Sequence, residues 1–130
     1  MSMFYTQPFD EIKRTLLDFS ENGKKLNLLL NASCYGKIEG TSEQDNYIYS
    51  IMKKLEDSNL HIDIVTVVSP YMAKTIKRNY PNIEIRMSVL SCIQSIQSMI
   101  LASDIFDSFY INQDLNRNIN IITKFSNWCK

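Results

Sequence analysis

Residues 62–88 read IDIVTVVSPYMAKTIKRNYPNIEIRMS, and this stretch decides the fold. It opens with a β-branched run, continues with apolar residues at helical spacing, and closes with a second strand-like run. Ser69 and Pro70 are typical of a helix start, Ser as the cap and Pro as the first helical residue. Tyr80 before Pro81 ends that helix, because a residue that precedes proline disfavours helical conformation. The order strand, helix, strand predicts a parallel β-α-β unit.

The same alternation runs along the rest of the chain. Short apolar or β-branched runs predict four strands, at residues 26–31, 62–68, 83–88 and 106–111. Apolar residues three and four positions apart predict a helix after each strand, beginning near Ser42, Ser69, Ser91 and Leu115. Four such units are half of an eight-unit barrel. We therefore expect an α/β fold, a single domain over residues 1–130 whose parallel sheet of four β/α units forms half of a (β/α)8 TIM-type barrel.

The helices carry more detailed predictions. An extra helix over residues 8–20 precedes the first strand. Ser42-x-x-Asp45 resembles a capping box at the start of the next helix. The helix after the second strand should bury Met72, Ala73, Ile76 and Tyr80. The helix after the third strand should bury Ile93, Ile96, Ile100 and Leu101, and the last helix Ile119, Ile122, Phe125 and Trp128.

Composition and charge narrow the function classes. The chain has 14 basic and 14 acidic side chains and 45% hydrophobic residues, which gives no indication of nucleic acid as a partner. No apolar stretch approaches the roughly 20 residues that cross a bilayer, and the first residues lack a signal-peptide pattern. Cys34, Cys92 and Cys129 are odd in number and widely spaced, which argues against a disulfide framework. We therefore expect a cytoplasmic protein with no membrane partner.

Known catalytic and metal-binding motifs are absent from the sequence, which has no GxGxxG, P-loop, HExxH or CxxC pattern. His61 precedes the second strand, at the end of the sheet opposite the usual barrel site, so we expect no catalytic role for it. Cys34 and Cys92 lie at the site end and Cys129 at the other, so we expect no metal site within this chain. Cys92 is either a thiol of lowered pKa at a helix start or an inert one.

Alternation along the strands predicts one polar sheet face. Glu84, Arg86 and Ser88 share a face of the third strand, and the first and fourth strands also present polar residues on one side. A sheet covered on both faces should be apolar on both, so we expect helices on one face only and a polar barrel lumen on the other. Arg86 either pairs with Glu84 or Asp63 for structural reasons or contributes to a ligand pocket.

The candidate binding residues lie at the mouth and in the lumen of the expected barrel, and no catalytic residue is assigned. They are Asn31, Ser69, Tyr71, Arg86, Ser88, Tyr110, Asn112, Asp114 and Arg117. Asp114 and Arg117 also fit a second interpretation, a helix cap with a local ion pair three residues apart.

Two stretches, residues 65–89 and 102–129, resemble a known family. With Ser69-Pro70-Tyr71 and the run 107–110 (DSFY), they are similar to the collagenase-like peptidase family, U32, and to related uncharacterised barrel proteins. The chain looks like the N-terminal half of such a barrel.

The resemblance implies barrel-mouth positions for Arg86, Ser88, Asp114 and Arg117, without catalytic roles. Some relatives are called proteases, and others resemble oxygen-independent or prephenate-dependent hydroxylation factors for RNA or quinones. An iron–sulfur cluster occurs only in longer relatives, whose cysteines have no counterpart here, so we expect no cofactor within this chain.

Three interpretations remain open. The chain is a partial barrel that is not catalytically complete alone and needs a second half-barrel or a second copy, because two sheet edges are otherwise unpaired. Alternatively, it is a self-contained α/β module that binds a small molecule, a peptide or a protein. In the third, it is part of a hydroxylase- or peptidase-like enzyme whose other half supplies the catalytic and cofactor residues.

Overall fold

The computed structural model describes residues 8–32 and 35–130. Strands and helices alternate along these residues in the predicted order. The strands are β1 (Asn27–Leu30), β2 (Ile64–Val67), β3 (Glu84–Met87) and β4 (Ser108–Phe109). The helices are α1 (Phe9–Glu21), α2 (Ser42–Glu56), α3 (Pro70–Asn79), α4 (Ile96–Ala102) and α5 (Ile119–Trp128). Short 3-10 turns lie at Gly36–Ile38, Val89–Ser91 and Gln113–Leu115.

The four strands form one parallel sheet in the order β1-β2-β3-β4. Neighbours in sequence are therefore neighbours in the sheet, each joined to the next by a helical connection. This is the arrangement of four consecutive units of a (β/α)8 barrel. The predicted fold class, a parallel half-barrel with an extra N-terminal helix, is confirmed.

The hydrophobic core lies between the sheet and helices α2, α3 and α4. Val65, Val67 and Ile85 point to this side and are completely buried. Met72 and Ile76 of α3 pack into the same cluster and are also completely buried. Ala73 is buried with them as predicted, and Tyr80 is partly buried at the edge of the cluster. Burying side chains of this kind is the main stabilising contribution to such a sheet–helix layer.

The capping box predicted for α2 is wrong. Ser42 is the first residue of the helix, and its N-cap, Thr41, makes no side-chain cap hydrogen bond. The Asp45 carboxylate instead accepts hydrogen bonds from the hydroxyls of Tyr71 and Thr75 on α3, at 3.2 and 2.9 Å. Two donors from a packed neighbour thus occupy the carboxylate that would have reached back to the helix start.

The prediction for α4 is wrong in its start and in half of its buried set, since Ile93 is buried and Ile96 partly buried, but the other two residues are exposed. Ser88 begins a 3-10 turn after β3, and Ile93 then pairs with Ile111 in an isolated parallel bridge. Ser95, rather than Ser91, caps α4 through the N–H of Ser98. The later start changes which residues face inward. The helix buries Met99 and Ala102, and exposes Ile100 and Leu101.

The last helix also begins later than predicted. Leu115 lies in a 3-10 turn, and α5 starts at Ile119, whose side chain is largely exposed. Phe125 is buried as predicted, and Trp128 packs edge-on against Phe109 of β4 with ring centroids 6.4 Å apart. The end of α5 is thereby held beside the last strand of the sheet.

Candidate functional site

The sheet face that points away from α2, α3 and α4 is called the open face here. The strand register aligns Leu29, Thr66, Arg86 and Ser108 across all four strands on this side. Its members are Asn27, Leu29, Ile64, Thr66, Glu84, Arg86, Ser108 and, by alternation beyond β4, Tyr110. None of them belongs to either hydrophobic core cluster of the described residues. The open face is mostly polar, as the alternation predicted.

Four side chains on β3 and β4 form a connected polar group, the Arg86 quartet, with Glu84, Ser108 and Tyr110 as its other members. The Arg86 guanidinium donates from Nη2 to Glu84 Oε1 at 2.7 Å, from Nε to Ser108 Oγ at 3.0 Å and from Nη1 to the Tyr110 hydroxyl at 3.1 Å. Ser108 Oγ donates to Glu84 Oε1 at 2.5 Å. Arg86 also lies 5.3 Å from the centre of the Tyr110 ring, which suits a cation–π contact. The predicted Arg86–Glu84 pair is thus present.

The surroundings of Glu84 make it a weak base. The hydrogen bond from Ser108 and that from Arg86 lower the pKa of the Glu84 carboxyl, and the charges of Arg86 and Lys25 lower it further. Burial acts in the opposite direction and is outweighed. A general base works best with a pKa near the working pH, so Glu84 is poorly suited to activating the Ser108 hydroxyl. The quartet is better suited to binding and positioning than to proton transfer.

Three of the candidate residues at the carboxyl ends of the strands cap the turns that follow. Ser69 Oγ accepts from the N–H of Met72, and Ser88 Oγ accepts from the N–H of Leu90. Asn112 Oδ1 accepts from the N–H of Asp114 at 2.9 Å. All three cap residues are buried. Their side-chain oxygens therefore serve the local structure, and their role as binding residues stays a prediction.

The other candidates lie apart from the Arg86 quartet. Tyr71 faces α2, where its hydroxyl donates to Asp45. Asp114 and Arg117 are exposed beside a shallow depression at the start of α5, and no ion pair joins them in the described part of the chain. Asn31 follows β1, and its Oδ1 is buried without a hydrogen-bond partner among residues 8–32 and 35–130. Of the nine candidates, only Arg86 and Tyr110 are joined by a hydrogen bond between their side chains in the described part of the chain.

Comparisons with known proteins agree with the fold described above. No family model matches the chain. A curated relative, the uncharacterized protease MJ1657 of Methanocaldococcus jannaschii, is 22% identical over 120 residues, which are 91% of this chain and 35% of the relative. The solved structure of the U32 peptidase Mk0906 superposes with a TM-score of 0.78 at 16% identity, over 98% of this chain and 51% of that one.

The chain is similar to the U32 peptidases. It spans about a third of the length of the curated relative and about half of the solved chain, which fits a partial barrel. The U32-like chain therefore has four of the units from which such a barrel is built.

Two depressions of about 540 Å³ each border the sheet of the U32-like chain. One lies at the amino ends of the strands, where His61, Asp63 and Glu84 contribute to its lining. The other runs along β4, lined by Phe109 and Trp128 among others. The β4 edge beside this second depression has no strand partner within the described residues.

Two of the three cysteines lie within the described residues, and the expected absence of a cofactor stays a prediction. Cys92 and Cys129 are both exposed, and no group of three His, Cys, Asp or Glu residues in the described ranges could hold a metal. Cys92 ends the 3-10 turn after β3 instead of opening a helix as predicted, and Cys34 lies outside the described residues. No helix within the described ranges is both long and apolar enough to cross a membrane.

Two members of the quartet are not among the residues predicted from the sequence to bind a ligand. The nine predicted binding residues include neither Glu84 nor Ser108, although both belong to the quartet. The available signal was the alternation itself, since β3 and β4 both present polar residues at the register positions of Arg86 and Ser108. Polar residues opposite each other on neighbouring strands predict a connected group.

Proposed function

We propose that this U32-like chain is one half of a barrel enzyme and that its open face is one wall of an enclosed polar cavity. The Arg86 quartet carries the proposal, since it places a bonded ion pair on the face that the core helices leave free. In such a barrel the site lies at the carboxyl ends of the strands, and Arg86 is the residue before the last one of β3.

The reaction belongs to the complete barrel in this proposal. Glu84 is a weak base, and His61 lies at the amino end of β2, away from the carboxyl ends where barrel sites form. The second half would supply the catalytic groups and any cofactor of a peptidase-like or hydroxylase-like enzyme. In this proposal the second half pairs with the edge of β4 that has no strand partner among the described residues, beside the groove lined by Phe109 and Trp128. We place the protein in the cytoplasm, which fits its few, widely spaced cysteines.

One observation favours a second candidate, a self-contained module that binds a ligand on an open sheet. The quartet forms a connected set of hydrogen bonds without a second half, because Arg86 donates to Glu84, Ser108 and Tyr110. A monomer with all four strands ordered would support this candidate.

The oligomeric state of the chain alone separates the two candidates. The four parallel strands have two outer edges without a partner among the described residues, and these edges can close an eight-stranded barrel with a second copy. A net charge of zero imposes no overall repulsion between copies. We expect light scattering to give twice the monomer mass of 15.1 kDa. A monomer of 15.1 kDa at all concentrations, with native secondary structure, would contradict the half-barrel proposal.

A matched pair of leucine variants locates the contact. Leu29 is 60% exposed on the open face, and Leu101 is 82% exposed on α4. An arginine at Leu29 would place an unpaired charge inside the closed barrel, so L29R should shift the chain to monomer. The control L101R should leave the dimer intact. Equal association of both variants would show that the open face is not enclosed.

A further inference from the structure

We propose that Arg86 binds a carboxylate group of a ligand held against the open face. The inference rests on the proposed function, because it names a ligand class for the same cavity wall. It comes from the donors that the quartet leaves unused and from the balance of charge around them.

Arg86 has donors left after its contacts within the quartet. A guanidinium carries five N–H groups, one on Nε and two on each terminal nitrogen. Glu84 and Ser108 engage Nε, Glu84 engages one N–H of Nη2, and Tyr110 engages one N–H of Nη1. One N–H on each terminal nitrogen thus has no partner within the described residues. Two such N–H groups can donate in parallel to the two oxygens of one carboxylate.

The guanidinium is fixed before any ligand arrives. It is hydrogen bonded to side chains on its own strand and on the strand beside it, and it contacts the Tyr110 ring. The Arg86 side chain is 24% exposed, so it is accessible while most of it is packed. A side chain held in this way loses little conformational freedom on binding, which favours affinity.

The local charge suits a singly charged ligand. Glu84 neutralises one positive charge, and Lys25 is close enough for its charge to lower the pKa of Glu84. Asp63 and Glu56 line the same depression as Lys25 and Glu84, so the surroundings of Arg86 have no excess of positive charge, which disfavours a phosphate dianion more than one carboxylate. The exposed Leu29 and Tyr110 on the same face would contact an apolar part of the ligand. An organic acid with an apolar portion has both features.

Acetate is the simplest probe of this site. We would titrate the ¹⁵N-labelled chain with sodium acetate at pH 7, replacing sodium chloride at constant ionic strength. The signals followed are the Arg86 Nε–H and the backbone amides of Glu84, Ser108 and Tyr110, and R86K retains these amides. We expect a saturable shift that chloride does not produce. R86K keeps the charge and loses the planar fork, so it should weaken binding about tenfold, the loss of one charge-assisted hydrogen bond. R78Q, on the exposed side of α3, should bind like the unchanged chain.

Each outcome decides the proposal. A linear response to acetate, or unchanged binding by R86K, would overturn it, and tighter binding of inorganic phosphate than of acetate would overturn the carboxylate assignment. R86K retains the positive charge beside Glu84, so a loss of binding by folded R86K reports on the planar fork of the guanidinium. A monomer that binds acetate would contradict the half-barrel and leave the carboxylate site standing. A dimer that does not bind acetate would support the half-barrel and contradict the carboxylate site.

Discussion

The Asp107 carboxylate, directly before β4, accepts a hydrogen bond from the backbone N–H of Ile85 on β3 at 2.9 Å. The same relationship occurs one strand pair earlier, where the Asp63 carboxylate, directly before β2, accepts from the N–H of Leu26 beside β1 at 2.8 Å. Each aspartate ties the entry of its strand to the preceding strand. The β1–β2 and β3–β4 pairs of the four-stranded sheet therefore share this contact, at the end opposite the expected site.

Removing the Asp107 carboxylate should destabilise the fold. D107A leaves the N–H of the completely buried Ile85 without its acceptor and removes the ion pair with Lys77. A buried donor without a partner costs about 1–3 kcal/mol, so we expect a loss of that size in the free energy of unfolding measured in urea. D104A, an exposed position three residues earlier, is the control and should change stability by less than about 0.5 kcal/mol. Equal losses in both variants would contradict a stabilising role of the hydrogen bond between Asp107 and the N–H of Ile85.

Several features could be predicted because they depend on periodicity alone. The parallel order follows from alternating strands and helices, and the buried stripe Met72, Ala73 and Ile76 follows from helical spacing. The polar side of β3 and the contact between Arg86 and Glu84 follow from the two-residue period of a strand. Each of these features repeats along the chain, so a short window of sequence contains it.

Other features depend on contacts between distant segments. Asp45 belongs to a suitable capping sequence, but Tyr71 and Thr75 on α3 occupy its carboxylate. The bridge between Ile93 and Ile111 delays the start of α4, and no local pattern announces it. The role of the candidate residues at the carboxyl ends of the strands, such as Ser69 and Ser88, cannot be decided from the sequence for a related reason. The residues that end a strand in such units are also those that cap the next turn, and polar side chains there suit either role.

Stability should fall in mild acid because of Glu84 and Asp107. The pKa of Glu84 is lowered by the Ser108 and Arg86 hydrogen bonds. Burial raises that of Asp107, but the Ile85 N–H and Lys77 outweigh it, so its pKa is lowered too. A carboxylate with a lowered folded pKa stabilises the fold above its unfolded value, about 4 for these residues, and loses that contribution as pH falls through the folded pKa. Urea unfolding should thus show a declining free energy of unfolding below about pH 5.

A glutamine variant isolates the share of Glu84 in this pH dependence. E84Q cannot titrate, so its free energy of unfolding should decline less steeply between about pH 5 and pH 3 than that of the unchanged chain. E43Q, on the exposed first turn of α2, is the control and should keep the original slope. Identical slopes in all three proteins would show that Glu84 does not contribute.

The caps of α3 and α2 should respond differently to alanine. Ser69 caps α3 through the N–H of Met72, whereas Ser42 makes no cap for α2. S69A should lower the free energy of unfolding by about 0.5–2 kcal/mol, as loss of a serine cap usually does. S42A should have an effect below about 0.5 kcal/mol, as at most surface positions. A large loss in S42A would restore the capping box that the structure contradicts.

Two isoleucine variants test which helix faces are buried. Ile76 of α3 is completely buried in the main core cluster, whereas Ile100 of α4 is half exposed despite its place in the predicted stripe. I76A removes packed atoms and leaves a cavity, so it should cost about 2–5 kcal/mol in urea unfolding. I100A removes a side chain that already contacts water, so its cost should be about 1 kcal/mol or less. Comparable losses would mean that α4 turns its predicted stripe inward after all, against the exposed positions of Ile100 and Leu101.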